Sequence, residues 1–214
     1  METELRSALD RTFARWEGLA VAGRTDTGVH ALANVASVEV EGGPPAVRAA
    51  DALNSILPDD LAVVVAEEAT ADFHARHSAR SRAYRYRIYR RRERSPFEER
   101  RSWWYLRQLG EESLAESADL LLGQHDFGAF TPSGTEHKRL VRTVQRAAWH
   151  RLGDALEFEI EADSFLRHMV RALVGTMVEQ SPEQVGELLR GGRPRSDAGS
   201  TAPPWGLYLE RVHY

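Results

Sequence analysis

Cysteine is absent from the 214 residues, and lysine occurs once, at Lys138. Without thiols there can be no disulfide, no thiolate nucleophile and no cysteine-ligated zinc. No apolar run approaches the roughly 18 residues that a membrane span needs. The longest is the stretch LAVVVA at 61–66. The first residues include Glu2 and Glu4 and lack the basic, then apolar, pattern of a secretory signal. Neither a dinucleotide-binding nor a metal-binding signature is present. These absences point to a cytoplasmic protein that works without a cofactor.

Charge is what the chain has in an uneven supply. The formal net charge is −4. Residues 76–107 nevertheless hold twelve arginines against three acids, Glu93, Glu98 and Glu99, a local surplus of nine positive charges. A basic field on an acidic chain suggests a polyanionic partner such as nucleic acid. Arginine also fills nearly every other basic position, so codon bias alone gives a second account of the cluster.

The hydrophobic pattern repeats one order of elements twice. Residues 2–16 place Leu5, Ala8, Leu9, Phe13 and Trp16 at helical spacing. A short strand is expected at 19–22, an alternating one at 32–40, a helix at 46–56 after Gly42-Gly43-Pro44-Pro45, and a strand over 61–68. In the second half, residues 82–91 alternate strictly, so Tyr84, Tyr86 and Ile88 share one sheet face. A short strand at 102–105 and a helix at 111–122 follow, then a hairpin turning at Gly153-Asp154. Helices over 165–180 and from Pro182, and a final strand over 205–214, complete the chain.

Each half therefore reads as a split βαβ unit, a ferredoxin-like arrangement, in an α+β protein. The expected division is 1–75 for the N-terminal half, with the loop at 23–31, and 76–214 for the C-terminal half. The first half lacks an opening strand. In this topology that strand is internal, so two neighbours would be left unpaired. The pattern thus points to a misplaced start or a fragment.

Three segments carry candidate chemistry. In GRTDTGVHA, residues 23–31, a carboxylate, Asp26, sits between Arg24 and Gly28 in a tight polar loop. Loops of that kind often carry function; an aspartate bonding its own turn backbone is the structural alternative. Residues 72–89, DFHARHSARSRAYRYRIY, interleave arginines with aromatics, a mixture suited to phosphates and exposed bases, or to an amphipathic strand with a solvated face. His74 and His77, taken with Asp26 and His30, would be the set for a metal-dependent hydrolase, but the spacing lacks a firm third ligand. In FLRHMVRALVG, residues 165–175, Arg167 and Arg171 share one face of the expected helix. Arg171 is bracketed by apolar residues and so needs a carboxylate partner, for which Asp26 is a candidate.

In order along the chain, AGRTDTGVHA, DFHARHSARSRAYRYRIY, LLGQHDFGAF, SFLRHMVRALVGTMVE and APPWGLYLERV resemble the TruA-type tRNA pseudouridine synthases, over residues 22–212. The family's opening strand and its DG…Y.G…Q.Q-like segment have no match. The resemblance implies two tandem halves forming an extended mixed or antiparallel sheet, with helices on one face and an RNA-binding cleft on the other. It implies that Asp26 is the catalytic nucleophile, that Tyr84 packs on the target base, that Arg171 pairs with Asp26, and that Arg24 helps displace the base. It also implies a cofactor-free, metal-free homodimer that modifies uridines 38, 39 and 40 in the anticodon stem-loop of tRNA. A non-catalytic RNA-binding module of the same fold, or an inactive descendant of the enzyme, would share the basic sheet.

Overall fold

The computed structural model describes residues 1–135 and 138–214, and the chain divides into two compact units. The first comprises Met1–Ala22 and Val35–Ser78, the second Gly23–Asn34 and Ala79–Tyr214. The loop that carries Asp26 thus belongs to the second unit, whereas the sequence places it with the N-terminal half. The cause is non-local. Residues 30–32 add to a strand near the C-terminus, which no local pattern reports.

In the first unit, helix α1 (Glu2–Thr12) buries Ala8 and Leu9. Strand β1 (Arg15–Val21) follows at once, so the helix expected to reach residue 16 stops at Thr12, and Trp16 joins a ladder instead. Strand β2 (His30–Ala31) lies in the second unit. Strand β3 (Ala36–Glu41) pairs antiparallel with β1, from Arg15 opposite Glu41 to Val21 opposite Ala36. Helix α2 (Ala46–Asn54) starts after Pro45 and buries Ala49 and Leu53 against Ala8, Leu9 and Phe13. The strand expected over 61–68 does not form. Val64 and Val65 stand 83% and 70% exposed, and Val63 is held through both backbone groups by the Asn54 side chain at 2.7 and 2.9 Å. β-propensity reports fitness for a sheet surface. A ladder also needs an adjacent edge, and β1–β3 is the only ladder of this unit among the described residues.

The second unit is built on a seven-stranded mixed sheet. Its elements are β4 (Ser81–Tyr89), β5 (Trp103–Trp104), helix α3 (Glu111–Asp119), β6 (Gly123–Asp126), β7 (Val141–Leu152), β8 (Ala155–Ala162), helices α4 (Met169–Glu179) and α5 (Pro182–Leu189), and β9 (Leu207–His213). The order is β2-β9-β4-β8-β7-β6, with β5 beside β4. The β7–β8 hairpin turns at Gly153-Asp154, as expected, with Leu152 opposite Ala155. Strand β6 lies at the sheet edge, antiparallel to β7. The protein is α+β, with its strands in two separate sheets.

Strand β4 is central, antiparallel to β8 on one side and β9 on the other. Its alternation divides the chemistry. Tyr84, Tyr86 and Ile88 enter the core with Leu114, Phe158, Ile160, Leu173 and Met177. Arg85 and Arg87 emerge on the other face, where Glu157 accepts from both at 2.9 and 2.6 Å. Arg85 also donates to Glu210 at 2.6 Å, and Arg87 to Glu98 at 3.1 and 2.8 Å. The Arg87 hydrogen bonds hold the Glu98 carboxyl below its ordinary range.

Helix α4 packs with its backbone almost against residues 198–202. An added Cβ on Gly175 would fall on the Ser200 carbonyl oxygen, and one on Gly199 would come within 2.7 Å of Thr176 Cα. The Thr176 hydroxyl accepts from Gly199 N at 3.0 Å. Only glycine permits this approach. Gly175→Ala should therefore destabilise the fold by about 1–3 kcal/mol, the usual range for overpacking. Gly186→Ala is the matched control in α5: its Cβ would meet nothing nearer than Leu120 Cδ1 at 3.7 Å. That change should stabilise by about 0.5–1 kcal/mol through helix propensity. Urea unfolding of both variants checks the two signs.

Candidate active site

Residues 23–34 form a closed loop. The Asn34 side chain pins its neck, donating to Gly23 O at 2.8 Å and accepting from Gly23 N at 3.3 Å. On the return, β2 runs parallel to β9, with His30 opposite Tyr208, and Leu32 N donates to Leu209 O at 2.8 Å. The turn between them is closed by Val29 N donating to Asp26 O at 3.0 Å. Gly28 takes φ +84 there, and an added Cβ would stand 3.1 Å from Pro204 Cγ. Gly23 lies close over the sheet: its Cβ would be 3.2 Å from Leu209 Cδ2 and 3.5 Å from the Tyr84 hydroxyl. The loop is thus fixed at neck, turn and return, with Asp26 at the bend.

The Asp26 side chain bonds across the fold and not to its own turn. Arg171 Nη1 donates to Asp26 Oδ2 at 3.1 Å. Arg171 is itself held twice to Ala202, donating from Nε to the carbonyl at 2.8 Å and accepting at its backbone oxygen from Ala202 N at 3.1 Å. The Arg171 side chain is 13% exposed and that of Asp26 33%, so the carboxylate is the more open member of a half-buried pair. His168 Nε2 stands 3.3 Å from the same Oδ2. Among the described residues no donor reaches Oδ1.

Tyr84 lies beside this pair with 9% of its surface accessible. Phe165 meets its ring edge-on, with centroids 4.9 Å apart. Burial pushes the phenol up to about 12; Arg82 pulls it back and Asp26 adds to the rise. Tyr84 is therefore a neutral phenol over the whole physiological range. Arg24 is exposed, two residues before Asp26, and no described group bonds its side chain.

The structure brings Asp26, Arg171 and Tyr84 together and leaves Arg24 at the rim. It separates Arg167 from Arg171. Helix α4 begins at Met169 and not at 165, because His168 takes a left-handed conformation, so Arg167 stands outside the helix and exposed. His168 was not singled out from the sequence. Its spacing of three residues before Arg171 was the available signal, since such positions share a helix face. His30 and His74, two members of the candidate metal set, have structural partners. His30 Nε2 bonds Arg100 O at 2.8 Å and its ring stacks on Tyr208; His74 Nδ1 accepts from Arg76 N and His77 N at 3.2 and 3.3 Å. Among the described residues, no three His, Cys, Asp or Glu side chains converge as metal ligands. No helix there is long and apolar enough to cross a membrane.

Comparison with known proteins bears on the whole chain. The family model for tRNA pseudouridine synthase matches residues 117–214. The tRNA pseudouridine synthase A of Moorella thermoacetica is 41% identical over 219 residues, covering 100% of this chain and 89% of the relative. That of Myxococcus xanthus is 40% identical, over 100% of this chain and 83% of its own length. The Bacillus subtilis protein of the same name is 39% identical over 90% of this chain and 79% of its own. Identity at this level across both units, including the loop that the family model does not reach, means that the chain belongs to the tRNA pseudouridine synthase family.

Proposed function

We propose that the protein isomerises uridine to pseudouridine in tRNA, at positions 38, 39 and 40 of the anticodon stem-loop, with Asp26 as the nucleophile. The observation that carries this reading is the bridge from Arg171 to Asp26. Two residues 145 apart in sequence meet at 3.1 Å, with the carboxylate one-third exposed. The reaction breaks the bond from ribose C1′ to uracil N1, turns the base and forms a bond from C1′ to C5. One proton leaves C5 and one is gained at N1, so nothing is oxidised and no atom is added. A carboxylate fills the nucleophile's part in covalent catalysis. Arg171 holds that carboxylate in place through a charge-assisted hydrogen bond.

The target base must leave a stacked stem, at a cost of a few kcal/mol. In this reading Arg24 enters the space the base vacates, and Tyr84 with Phe165 forms the wall on which it rests. An aromatic contact returns about 1–3 kcal/mol per base. Arginines of the 76–107 window that are not paired to carboxylates take phosphates. The reading includes a homodimer and a cytoplasmic setting, which the resemblance to the family supports.

Asp26→Asn should abolish pseudouridine formation while tRNA binding persists, measured by carbodiimide mapping and by a binding titration on unmodified tRNA. Wild-type binding without any pseudouridine would instead establish a non-catalytic RNA-binding module. Arg171→Lys keeps the charge but not the planar fork that reaches both Ala202 and Asp26. Its turnover should fall about ten- to a hundredfold, as expected for a lost bond to a charged group. Tyr84→Phe should keep most of the base contact and Tyr84→Ala should lose it. Because the phenol stays protonated to about 12, no limb of the activity profile between pH 7 and 10 should disappear in Tyr84→Phe.

A further inference from the structure

One residue beside Asp26 is held in a conformation that its own chemistry does not favour. His168 has φ +62 and ψ +1 at the head of α4. Among the described residues only Arg100 shares a positive φ without being glycine. The left-handed region costs a side-chain-bearing residue energy that the surroundings must supply, and such residues gather at functional sites. His168 does not cap the helix with its side chain. The conformation instead carries the ring to Asp26, with Nε2 3.3 Å from Oδ2. Arg171 Nη1 reaches the same oxygen from the next turn of the same helix.

We propose that His168 is a positioning residue for Asp26: it presents a neutral Nε2–H to Oδ2 beside Arg171, so that Oδ1 is the oxygen left to react with the nucleotide. The two carboxylate oxygens are thereby given different tasks. One is bonded by Arg171 Nη1 and has His168 Nε2 3.3 Å away, and the other has no described donor. The ionic surroundings favour the neutral ring. Burial lowers the His168 pKa below its ordinary value, and Arg171, Arg167 and Arg195 lower it further, against the opposing pull of Asp26. These four charges act on it from its own helix and approach, the 23–34 loop and the turn at Arg195–Asp197. A neutral imidazole with Nε2 protonated is a donor at that position. Protonation on the acid side would convert the contact into an ion pair and draw charge from the carboxylate.

This inference rests on the synthase reading for its catalytic consequence, but not for the contact itself. The experiment compares wild type, His168→Gly, His168→Ala and His168→Gln. Its readouts are single-turnover pseudouridine formation on unmodified tRNA, tRNA affinity, urea stability and a pH profile. The Gly and Ala variants should lose about ten- to a hundredfold in rate, the effect of removing one donor from a charged acceptor, with affinity unchanged. Gly, which accepts the left-handed conformation freely, should be at least as stable as wild type. Gln restores a donor without an ionisable ring, so it should recover most of the rate and lack the acid limb below the ordinary histidine range. Rates within about twofold of wild type in Gly and Ala, or no recovery in Gln, would overturn the proposal. So would a rate loss that merely follows a loss of stability. Proton NMR titration of His168 in wild type and in Asp26→Asn tests the contact independently of activity. The asparagine variant should titrate lower, and identical curves would refute the pairing. A wild type that forms no pseudouridine would sink the synthase reading, and the titration would still decide whether His168 holds Asp26.

Discussion

The fork of Arg171 is the interaction on which the placement of Asp26 depends. Its Nε is bound to the Ala202 carbonyl and its Nη1 to the Asp26 carboxylate, 2.8 and 3.1 Å away. A guanidinium as buried as this one is tolerated only when its donors are met. The loop, the helix and the approach to β9 therefore hold one another through a single side chain. Ala202 N returns a bond to the Arg171 backbone, so helix and C-terminal segment are tied from both directions. The glycines at 175 and 199 are what let that segment lie close enough to do this.

Strand alternation distributes the remaining chemistry of the second unit. The same β4 residues that bury Tyr86 and Ile88 send Arg85 and Arg87 to the opposite face. The Tyr86 hydroxyl donates to Pro203 O at 2.8 Å, just upstream of the turn that seats Gly28. Tyr84, the fourth residue of β4, meets the loop where Gly23 lies close over its hydroxyl.

Much of this was legible in the sequence, and the failures have physical causes. Strict alternation fixed the faces of β4, and Gly153-Asp154 marked the hairpin, because both signals are local. Asp26 and Arg171 could be named as partners because a buried arginine needs an anion and the resemblance supplied one. The segment 61–68 misled, since valines announce strand propensity but not whether a neighbouring edge exists. The allegiance of the loop to the second unit depends on β2 meeting β9, a pairing across more than half the chain. His168 escaped notice because its importance lies in a backbone angle. No residue pattern announces a left-handed histidine, and its presence moved the start of α4 four residues downstream of the expected one.

The ion-pair network on the outer face of β4 alters how the basic window should be counted. Arg85 and Arg87 already share Glu157, with Glu210 and Glu98 completing the set. An arginine neutralised by a carboxylate displaces no condensed cation from a polyanion unless that internal pair is first broken. Counterion release, which sets the salt sensitivity of nucleic-acid binding, scales with phosphates newly neutralised. The ionic-strength slope for a polyanion on this surface should accordingly reflect fewer charges than the twelve arginines of the window imply, with part of the cluster serving as internal scaffolding.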